Sequence, residues 1–214
     1  MKLIITGATG TAGLETLNQA LLDNEITEVI SLLRKPSDVS HPKLKTIIHK
    51  DFLNYSDLEN TFKNVDACIW CLGISQTQVT KTEYEVITYD YTINAAKVML
   101  ASNPNITFVF LSGMGADSAE KSRTIFARVK GKTENALIKL GFKKLYCTRP
   151  GGIIPVTPKK NMSSIQTFFL RTMGVLFPKY AINTVQLAKA MLHLAKHGND
   201  KIILENKELK NLAS

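Results

Sequence analysis

The sequence is short of cysteine and of long apolar runs. Its 214 residues include three cysteines, Cys68, Cys71 and Cys147. An odd number of cysteines without a secretory signal is typical of reduced thiols rather than of a disulfide framework. No signal peptide is evident, since Met1 and Lys2 lead directly into an apolar segment, and no apolar run reaches the roughly 18 residues of a membrane-spanning helix. We therefore expect a cytoplasmic protein with no membrane partner.

The sequence also lacks any block of clustered charge. Its 27 lysines and arginines exceed its 18 acidic residues and give a net charge of +9, but no basic block is longer than two residues. A basic chain can bind nucleic acid or an anionic membrane, or its cations can cover the surface and gather around an anionic cofactor. The dispersion favours the second interpretation, so we expect no nucleic-acid partner. We expect a monomer or a homodimer.

Internal repeats, low-complexity segments and linkers are absent, which predicts a single domain over residues 1–214. Segments with a β-strand pattern alternate with segments of helical periodicity. The predicted strands cover residues 2–5, 28–33, 44–49, 67–72, 105–111, 143–148 and 201–204. The predicted helices cover residues 14–22, 56–63, 82–102, 122–140, 164–176 and 184–197, and a polar turn follows the last strand.

This alternation predicts an α/β fold built on a Rossmann-type, doubly wound parallel sheet in three layers, α/β/α. Ligands of such sheets bind outside the carboxyl ends of the strands. We expect residues 153–200 or so to form a small C-terminal helical segment on the substrate side, as a lid or wall of the cleft.

Three glycines spaced three apart, Gly7, Gly10 and Gly13, follow the first predicted strand and precede a helix. The first N–H groups of a helix have no partner, and the helix dipole favours an anion in front of them. Glycine lets the backbone turn with φ > 0 and lets a pyrophosphate come close. In this strand–turn–helix context, the motif G-x-x-G-x-x-G predicts a phosphate-binding site.

An acidic residue is missing where the second predicted strand ends. An Asp or Glu about 20 residues after the glycines would accept hydrogen bonds from the ribose 2′-hydroxyl of NAD. This chain has no acid between Val29 and Pro36 and carries Arg34 and Lys35 instead. Two cations suit a 2′-phosphate, whereas the alternative is an ordinary basic turn. Given the glycine loop, we favour NADP over NAD as the cofactor.

Several short segments together resemble the atypical short-chain dehydrogenase/reductases. They are TGATGTAG, LLRKP, DF after the third strand, CLG after the fourth, FLSGMGADS, VKGKTE and RPGGI. Their order and spacing, over about residues 2–200, are most similar to the NAD(P)H-binding, Tat-interacting-protein-like and NmrA-like branch.

The resemblance implies where each part of the dinucleotide would lie. The turn residues that would hold the pyrophosphate are Gly7, Thr9, Gly10, Thr11 and Ala12. The residues on the adenosine side would be Arg34 at the phosphate and Asp51 and Phe52 at the adenine. The residues on the nicotinamide side would be Leu72 and Gly73 at the ribose and Gly151 to Ile153 at the ring.

The same resemblance implies a catalytic group of Ser, Tyr and Lys, with Y-x-x-x-K on the helix after the fifth strand. That spacing places both side chains on one helical face, where Lys⁺ lowers the pKa of the phenol so that it can exchange a proton while hydride moves. Ser112 fits the serine and Lys130 fits the lysine, which would also bind the nicotinamide ribose. The tyrosine position is Phe126, which has no proton to give.

Phe126 leaves three interpretations open. The chain can be a reductase that takes its proton from water or from Ser75, Thr77, Tyr84 or Tyr89. It can reduce a flavin or quinone, for which hydride transfer needs less help from a protein acid. It can also bind NADP(H) without chemistry, as a redox sensor or regulatory protein. We favour an NAD(P)H-dependent oxidoreductase acting on a small molecule (a quinone, flavin or carbonyl).

Two pairs of potential metal ligands occur, and neither predicts a metal site. Cys68 and Cys71 form C-x-x-C within an apolar strand, where residues three apart face opposite sides. His193 and His197 are one helical turn apart, but no glutamate follows His193 to make H-E-x-x-H. We therefore expect no metal.

Overall fold

A parallel sheet forms the centre of the computed structural model, which describes residues 1–156 and 178–213. The strands in this part of the chain are β1 (Lys2–Thr6), β2 (Glu28–Leu33), β3 (Leu44–Ile48), β4 (Ala67–Trp70), β5 (Thr107–Leu111), β6 (Lys144–Arg149), β7 (Gly152–Ile154), β8 (Ala181–Asn183) and β9 (Ile203–Glu205). Seven of them form one sheet in the order β3-β2-β1-β4-β5-β6-β9, with every neighbouring pair parallel. The predicted Rossmann-type, doubly wound sheet is confirmed.

Helices cover both faces of this sheet. The described helices are α1 (Thr11–Leu22), α2 (Glu59–Phe62), α3 (Lys81–Glu85), α4 (Tyr91–Ser102), α5 (Ile125–Leu140), α6 (Thr184–His197) and α7 (Asn206–Leu212). Leu17 of α1 and Leu187 of α6 are buried in one apolar core. Met99 of α4 and Leu137 of α5 are buried in the other, so the sheet separates two helical layers.

Alternate residues of each strand contact the two cores, because successive side chains of a strand point to opposite faces. In β1, Leu3 and Ile5 contact the core under α1, and Ile4 contacts the other core. Cys68 and Cys71 are divided in the same way, with Cys68 in the α4 core and Cys71 against the α1 core. The C-x-x-C pair therefore faces opposite sides of the sheet, as predicted.

The helix predicted over residues 82–102 is confirmed as one continuous helical segment, although a π-helical turn, Val86–Asp90, lies between α3 and α4. An insertion of this kind leaves little trace in hydrophobic periodicity. One local prediction is wrong. The final segment, predicted as a polar turn, is the helix α7. It forms because Glu205 and Glu208 make a reciprocal capping box, which satisfies free N–H groups at its start.

The C-terminal segment contributes one helix to the layer that covers one face of the sheet. The helix predicted over residues 164–176 lies outside the described residues. The next predicted helix is α6, which packs beside α1 through buried Leu187 and Met191. Lys196 near its end donates to Asp23 at 2.8 Å and also pairs with Glu25, just after α1. The described part of the predicted lid therefore helps to form the central fold.

A second sheet, which consists of the two parallel strands β7 and β8, was not predicted from the sequence. The buried Asn206 holds this region together, since its Oδ1 accepts from Gly151 N at 2.8 Å. Its Nδ2 donates to the carbonyls of Lys179 and Ala181 at 2.9 and 3.1 Å. One amide thus satisfies backbone groups of segments that are far apart in sequence.

Across residues 1–156 and 178–213, we find no helix with the length and apolarity needed to cross a membrane.

Replacing Leu187 by alanine tests the position of α6. The side chain is fully buried against the sheet, so Leu187→Ala should lower the free energy of unfolding by about 2–5 kcal/mol through lost burial and a cavity. Leu22→Ala is the matched control, since Leu22 is 76% exposed, and should change it by less than about 0.5 kcal/mol. Urea denaturation of both variants measures the difference. Equal effects would mean that α6 does not pack as described.

Candidate functional site

The turn between β1 and α1 is built on two close backbone contacts. Gly7 has φ of +65°, and a Cβ there would lie 2.5 Å from the carbonyl oxygen of Cys71. A Cβ at Gly13 would lie 2.2 Å from the carbonyl oxygen of Gly7. Both distances are shorter than any tolerable contact, so the turn lies against the end of β4 and α1 lies against the turn only because these residues are glycines.

The N-terminus of α1 is open to an anion. Its N-cap is Gly10, which has no side chain to accept from the helix, and the first turn contains no acidic residue. Gly10 N donates to Gly7 O at 2.8 Å, and Leu14 N donates to Gly10 O at 3.0 Å. The N–H groups of residues 11–13 therefore have no intrahelical acceptor. With the helix dipole behind them, these donors suit a pyrophosphate.

Two adjoining clefts lie beside this turn and share Thr9, Leu33 and Arg34. The first is lined by Gly7, Thr9, Gly10, Leu32, Leu33, Arg34, Phe52, Cys71, Leu72 and Gly73. The second extends past Arg34 to Lys35 and Pro36. The structure thus brings together seven of the residues predicted to hold a dinucleotide, namely Gly7, Thr9, Gly10, Arg34, Phe52, Leu72 and Gly73.

Arg34 is exposed at the edge shared by the two clefts. Among the described residues it has no ion pair and no hydrogen-bond partner, so its guanidinium can bind an external anion. Phe52 is buried beside it, with its ring centroid 5.2 Å from His49 and 5.7 Å from Tyr91. Asp51 is exposed, and its Oδ1 accepts from Leu53 N at 3.0 Å. The part of the clefts that was predicted to bind the adenosine therefore combines an exposed cation with an aromatic wall.

The predicted catalytic residues meet at the carboxyl end of β5. Lys130 of α5 is buried, donates to the carbonyl of Leu111 at 2.7 Å and lies 4.6 Å above the ring of Phe110. Ser112 is the next residue after Leu111, which ends β5. Phe126 lies one helical turn before Lys130, and a Cβ at Gly113 would be 2.6 Å from its ring. The serine, the lysine and the phenylalanine thus surround one point of the sheet edge.

Burial and neighbouring charges shift the pKa values here. Burial lowers the pKa of Lys130 to about 8, although Glu134, Cys71 and Cys147 act in the opposite direction. Burial raises the pKa of Cys71, which lines the cleft, to about 12, while a hydrogen bond with Thr16 and the charge of Lys130 oppose this rise. Lys130 therefore acts electrostatically on the wall of the cleft, and Cys71 is a thiol at neutral pH.

A buried ion pair lies behind Ser112, and sequence reasoning missed it. Glu134 is fully buried and accepts from Arg149 Nε at 3.0 Å and from Arg149 Nη2 at 2.5 Å. Ser112 Oγ donates to the same carboxylate. Arg149 also contacts Glu205 at 3.1 Å and Ser118 Oγ at 2.8 Å. The sequence signal that could have indicated Glu134 is its position four residues after Lys130, because this spacing puts both side chains on one face of α5.

Gly151 and Ile153, predicted beside the nicotinamide, do not line either cleft among the described residues. Gly151 is held by Asn206, and Ile153 pairs with Ile182 between β7 and β8. They remain near the carboxyl end of β5, because Met114 N donates to the carbonyl of residue 150 at 2.8 Å.

Two further residues order the loops of the site, and no sequence motif indicates them. Gln76 Oε1 accepts from Phe126 N at 3.1 Å and so joins the loop after β4 to the start of α5. Thr6 Oγ1 accepts from Leu72 N at 3.2 Å, which positions the cleft-lining segment after β4.

Relatives of the chain occur in fungi and in a mammal. Protein FMP52, mitochondrial, of Debaryomyces hansenii is 28% identical over 91% of this chain and 88% of that protein. Protein HTATIP2 of Rattus norvegicus is 24% identical over 99% of this chain and 88% of that protein. These relatives confirm the resemblance to the atypical short-chain dehydrogenase/reductases.

The names of the fungal relatives correct one expectation. Those from Debaryomyces hansenii, Candida albicans, Kluyveromyces lactis and Meyerozyma guilliermondii are all named as mitochondrial. They contradict the cytoplasmic location expected from the lack of a signal peptide, and that prediction is wrong. The expectation rested on an absent feature, which identifies no compartment by itself.

Solved structures share the fold. A short chain dehydrogenase/reductase from Saccharomyces cerevisiae matches with a TM-score of 0.72 and 15% identity, over 99% of this chain and 98% of that one. A UDP-N-acetylglucosamine 4-epimerase from Bacillus cereus matches with a TM-score of 0.71 and 20% identity, over 99% of this chain and 83% of that one. At these identities the likeness concerns the fold alone.

The sequence of residues 7–140 matches the model of the NAD(P)H-binding family. The matched stretch begins at the glycine turn and ends with α5, so it includes both clefts, Ser112 and Lys130. Together with the parallel sheet and the open N-terminus of α1, this match identifies the chain as a member of the NAD(P)H-binding family.

Proposed function

We propose that the chain is an NADP(H)-dependent oxidoreductase that acts on a small molecule. The observation that carries this proposal is the continuity of the site. The open N-terminus of α1, the two clefts and the buried Lys130 follow one another along the carboxyl edge of the sheet. A dinucleotide is an elongated anion, and it requires such a series of donors and apolar walls.

The residues present fit NADP(H). The N–H groups of Thr11 and Ala12 would hold the pyrophosphate, and Arg34 would bind the 2′-phosphate through its exposed guanidinium. Phe52 would border the adenine, and Lys130 would donate to the nicotinamide ribose. When bound, the cofactor supplies or takes up a hydride.

The protein's own contribution to the chemistry differs from the usual one, because Phe126 has no proton to exchange. Lys130 supplies a positive charge in a dry environment, where electrostatic interactions are stronger than in water. The proton for a reduced substrate then comes from water or from a neighbouring side chain. This favours substrates such as flavins and quinones over simple carbonyls.

A second candidate function is NADP(H) binding without turnover, as a redox sensor or a regulatory protein. Phe126 is the observation that favours it, since this ring occupies the position of the catalytic tyrosine. Both candidates require the cofactor site, so only turnover separates them.

Arg34→Ala tests the choice of cofactor. Loss of the guanidinium should weaken NADPH binding about tenfold and leave NADH binding within about twofold, because only NADPH carries the 2′-phosphate. Lys97→Ala is the control, since it removes an exposed positive charge from α4, away from both clefts. Fluorescence titration with both nucleotides measures the ratio. An unchanged NADPH to NADH ratio would remove Arg34 from the proposal.

NADPH affinity should depend on pH through Lys130. Because its pKa is about 8, the ammonium is charged below that pH, and the affinity should fall as pH rises above it. Lys130→Met should bind NADPH about tenfold or more weakly at pH 7 and should lose this pH dependence. Lys97→Met should keep both. A wild-type affinity that stays constant from pH 7 to 10 would contradict the contact between Lys130 and the nucleotide.

NADPH oxidation with flavin, quinone and carbonyl acceptors tests catalysis. Wild type should turn over flavins or quinones faster than carbonyls, and Phe126→Tyr should raise carbonyl reduction by about tenfold or more by supplying a phenol. Phe62→Tyr, a change in the distant α2 core, controls for an effect of the hydroxyl on folding. If NADPH binds and no acceptor is reduced by wild type, the sensor function replaces the oxidoreductase.

A further inference from the structure

The hydrogen bond between Ser112 and Glu134 determines which way the serine proton points. Glu134 is fully buried and receives two hydrogen bonds from Arg149, at 3.0 and 2.5 Å. A carboxyl group held in an arginine fork is ionised. An ionised carboxylate only accepts hydrogen bonds, so the proton in the contact with Ser112 belongs to the serine.

Ser112 consequently has no proton left for a ligand. A hydroxyl group carries one hydrogen and two lone pairs, and the hydrogen is directed to Glu134. Turning it toward the cleft would remove one hydrogen bond from a buried carboxylate, which is unfavourable because a buried acceptor is then left without its donor. The lone pairs of Ser112 remain available, so toward a ligand that reaches it Ser112 can only accept a hydrogen bond.

Ser112 lies at the same edge of the sheet as the cleft, so the direction of its proton affects which ligands can bind there. Phe110 pairs with Trp70 between β5 and β4, so Ser112 and Leu72 each lie two residues beyond this pair at the carboxyl edge. Leu72 lines the cleft. The ring of Phe126 lies against Gly113, the next residue, and has no hydroxyl either. Residues 112 and 126 are the two positions that would polarise a carbonyl oxygen. Phe126 has no proton to donate, and the proton of Ser112 is donated to Glu134.

We propose that Glu134 acts as a positioning residue that makes Ser112 a hydrogen-bond acceptor, so that the site selects a ligand with an N–H donor, of the isoalloxazine type, over one that presents only a carbonyl oxygen. This inference rests on the proposed function and specifies its substrate class. A carbonyl oxygen placed against Ser112 meets a lone pair, whereas an N–H group forms a hydrogen bond. The selection arises from α5 and β6, outside the cleft itself.

Binding of two matched flavins tests this inference without turnover. Lumiflavin carries an N–H at position 3, and 3-methyllumiflavin lacks it. With saturating NADP⁺ present, wild type should bind lumiflavin about tenfold more tightly, as measured by flavin fluorescence. Ser112→Ala should reduce this preference to less than about twofold, because no acceptor remains. Ser118→Ala, which removes another hydroxyl from the Arg149 network, should keep the wild-type preference.

Glu134→Gln provides a second variant. Its amide oxygen would face Arg149 and its amide N–H would donate to Ser112, which frees the serine proton and should also abolish the preference. Thermal unfolding checks that this variant is folded, and Ser112→Ala decides the question if it is not. Equal affinities in wild type, or a preference unchanged in Ser112→Ala, would overturn the inference.

Two further outcomes separate this inference from the proposed function. If NADP⁺ binds and neither flavin does, the inference is wrong and the cofactor assignment stands. If NADP⁺ itself does not bind, the proposed function fails and the inference fails with it.

Discussion

The approach of Gly7 to the carbonyl oxygen of Cys71 positions the rest of the site. Because a Cβ would be only 2.5 Å from that oxygen, the turn after β1 can lie directly on the end of β4. Gly13 then lets α1 lie on the turn, with its free N–H groups directed outward. The ends of β2 and β4 border the same cleft, so one backbone contact brings Arg34 and Gly73 to its lining.

The buried ion pair of Glu134 and Arg149 has a different role. Removing two charges from water is costly, so such a pair is weak evidence for stability and better evidence for a fixed geometry. Here it connects α5 to β6 and, through Glu205, to β9. It also orients Ser112. The charges of the site therefore form two groups, the exposed Arg34 at the clefts and the paired Glu134 and Arg149 behind Ser112.

Local sequence patterns predicted the features that depend on neighbouring residues. The glycine turn, the alternation of strands and helices, and Arg34 at the end of β2 all belong to this class. Features that join distant segments were not predictable: Gln76 capping α5, Asn206 holding β7 to β8, and the contact of Arg149 with Glu134. Gly151 and Ile153 were expected at the ring, but Gly151 is bonded to Asn206, Ile153 pairs with Ile182 of β8, and neither lines the cleft. A missing signal peptide was also a poor guide to location.

We propose that the N-terminus of α1 binds the pyrophosphate of NADP(H). The most direct measurement is a titration of ¹⁵N-labelled protein with NADPH, followed by amide ¹H–¹⁵N spectra. The account predicts that the amides of Thr11 and Ala12 shift most, together with those of Leu72 and Gly73 in the cleft wall. Saturable NADPH binding that leaves the amides of Thr11 and Ala12 unchanged would contradict it.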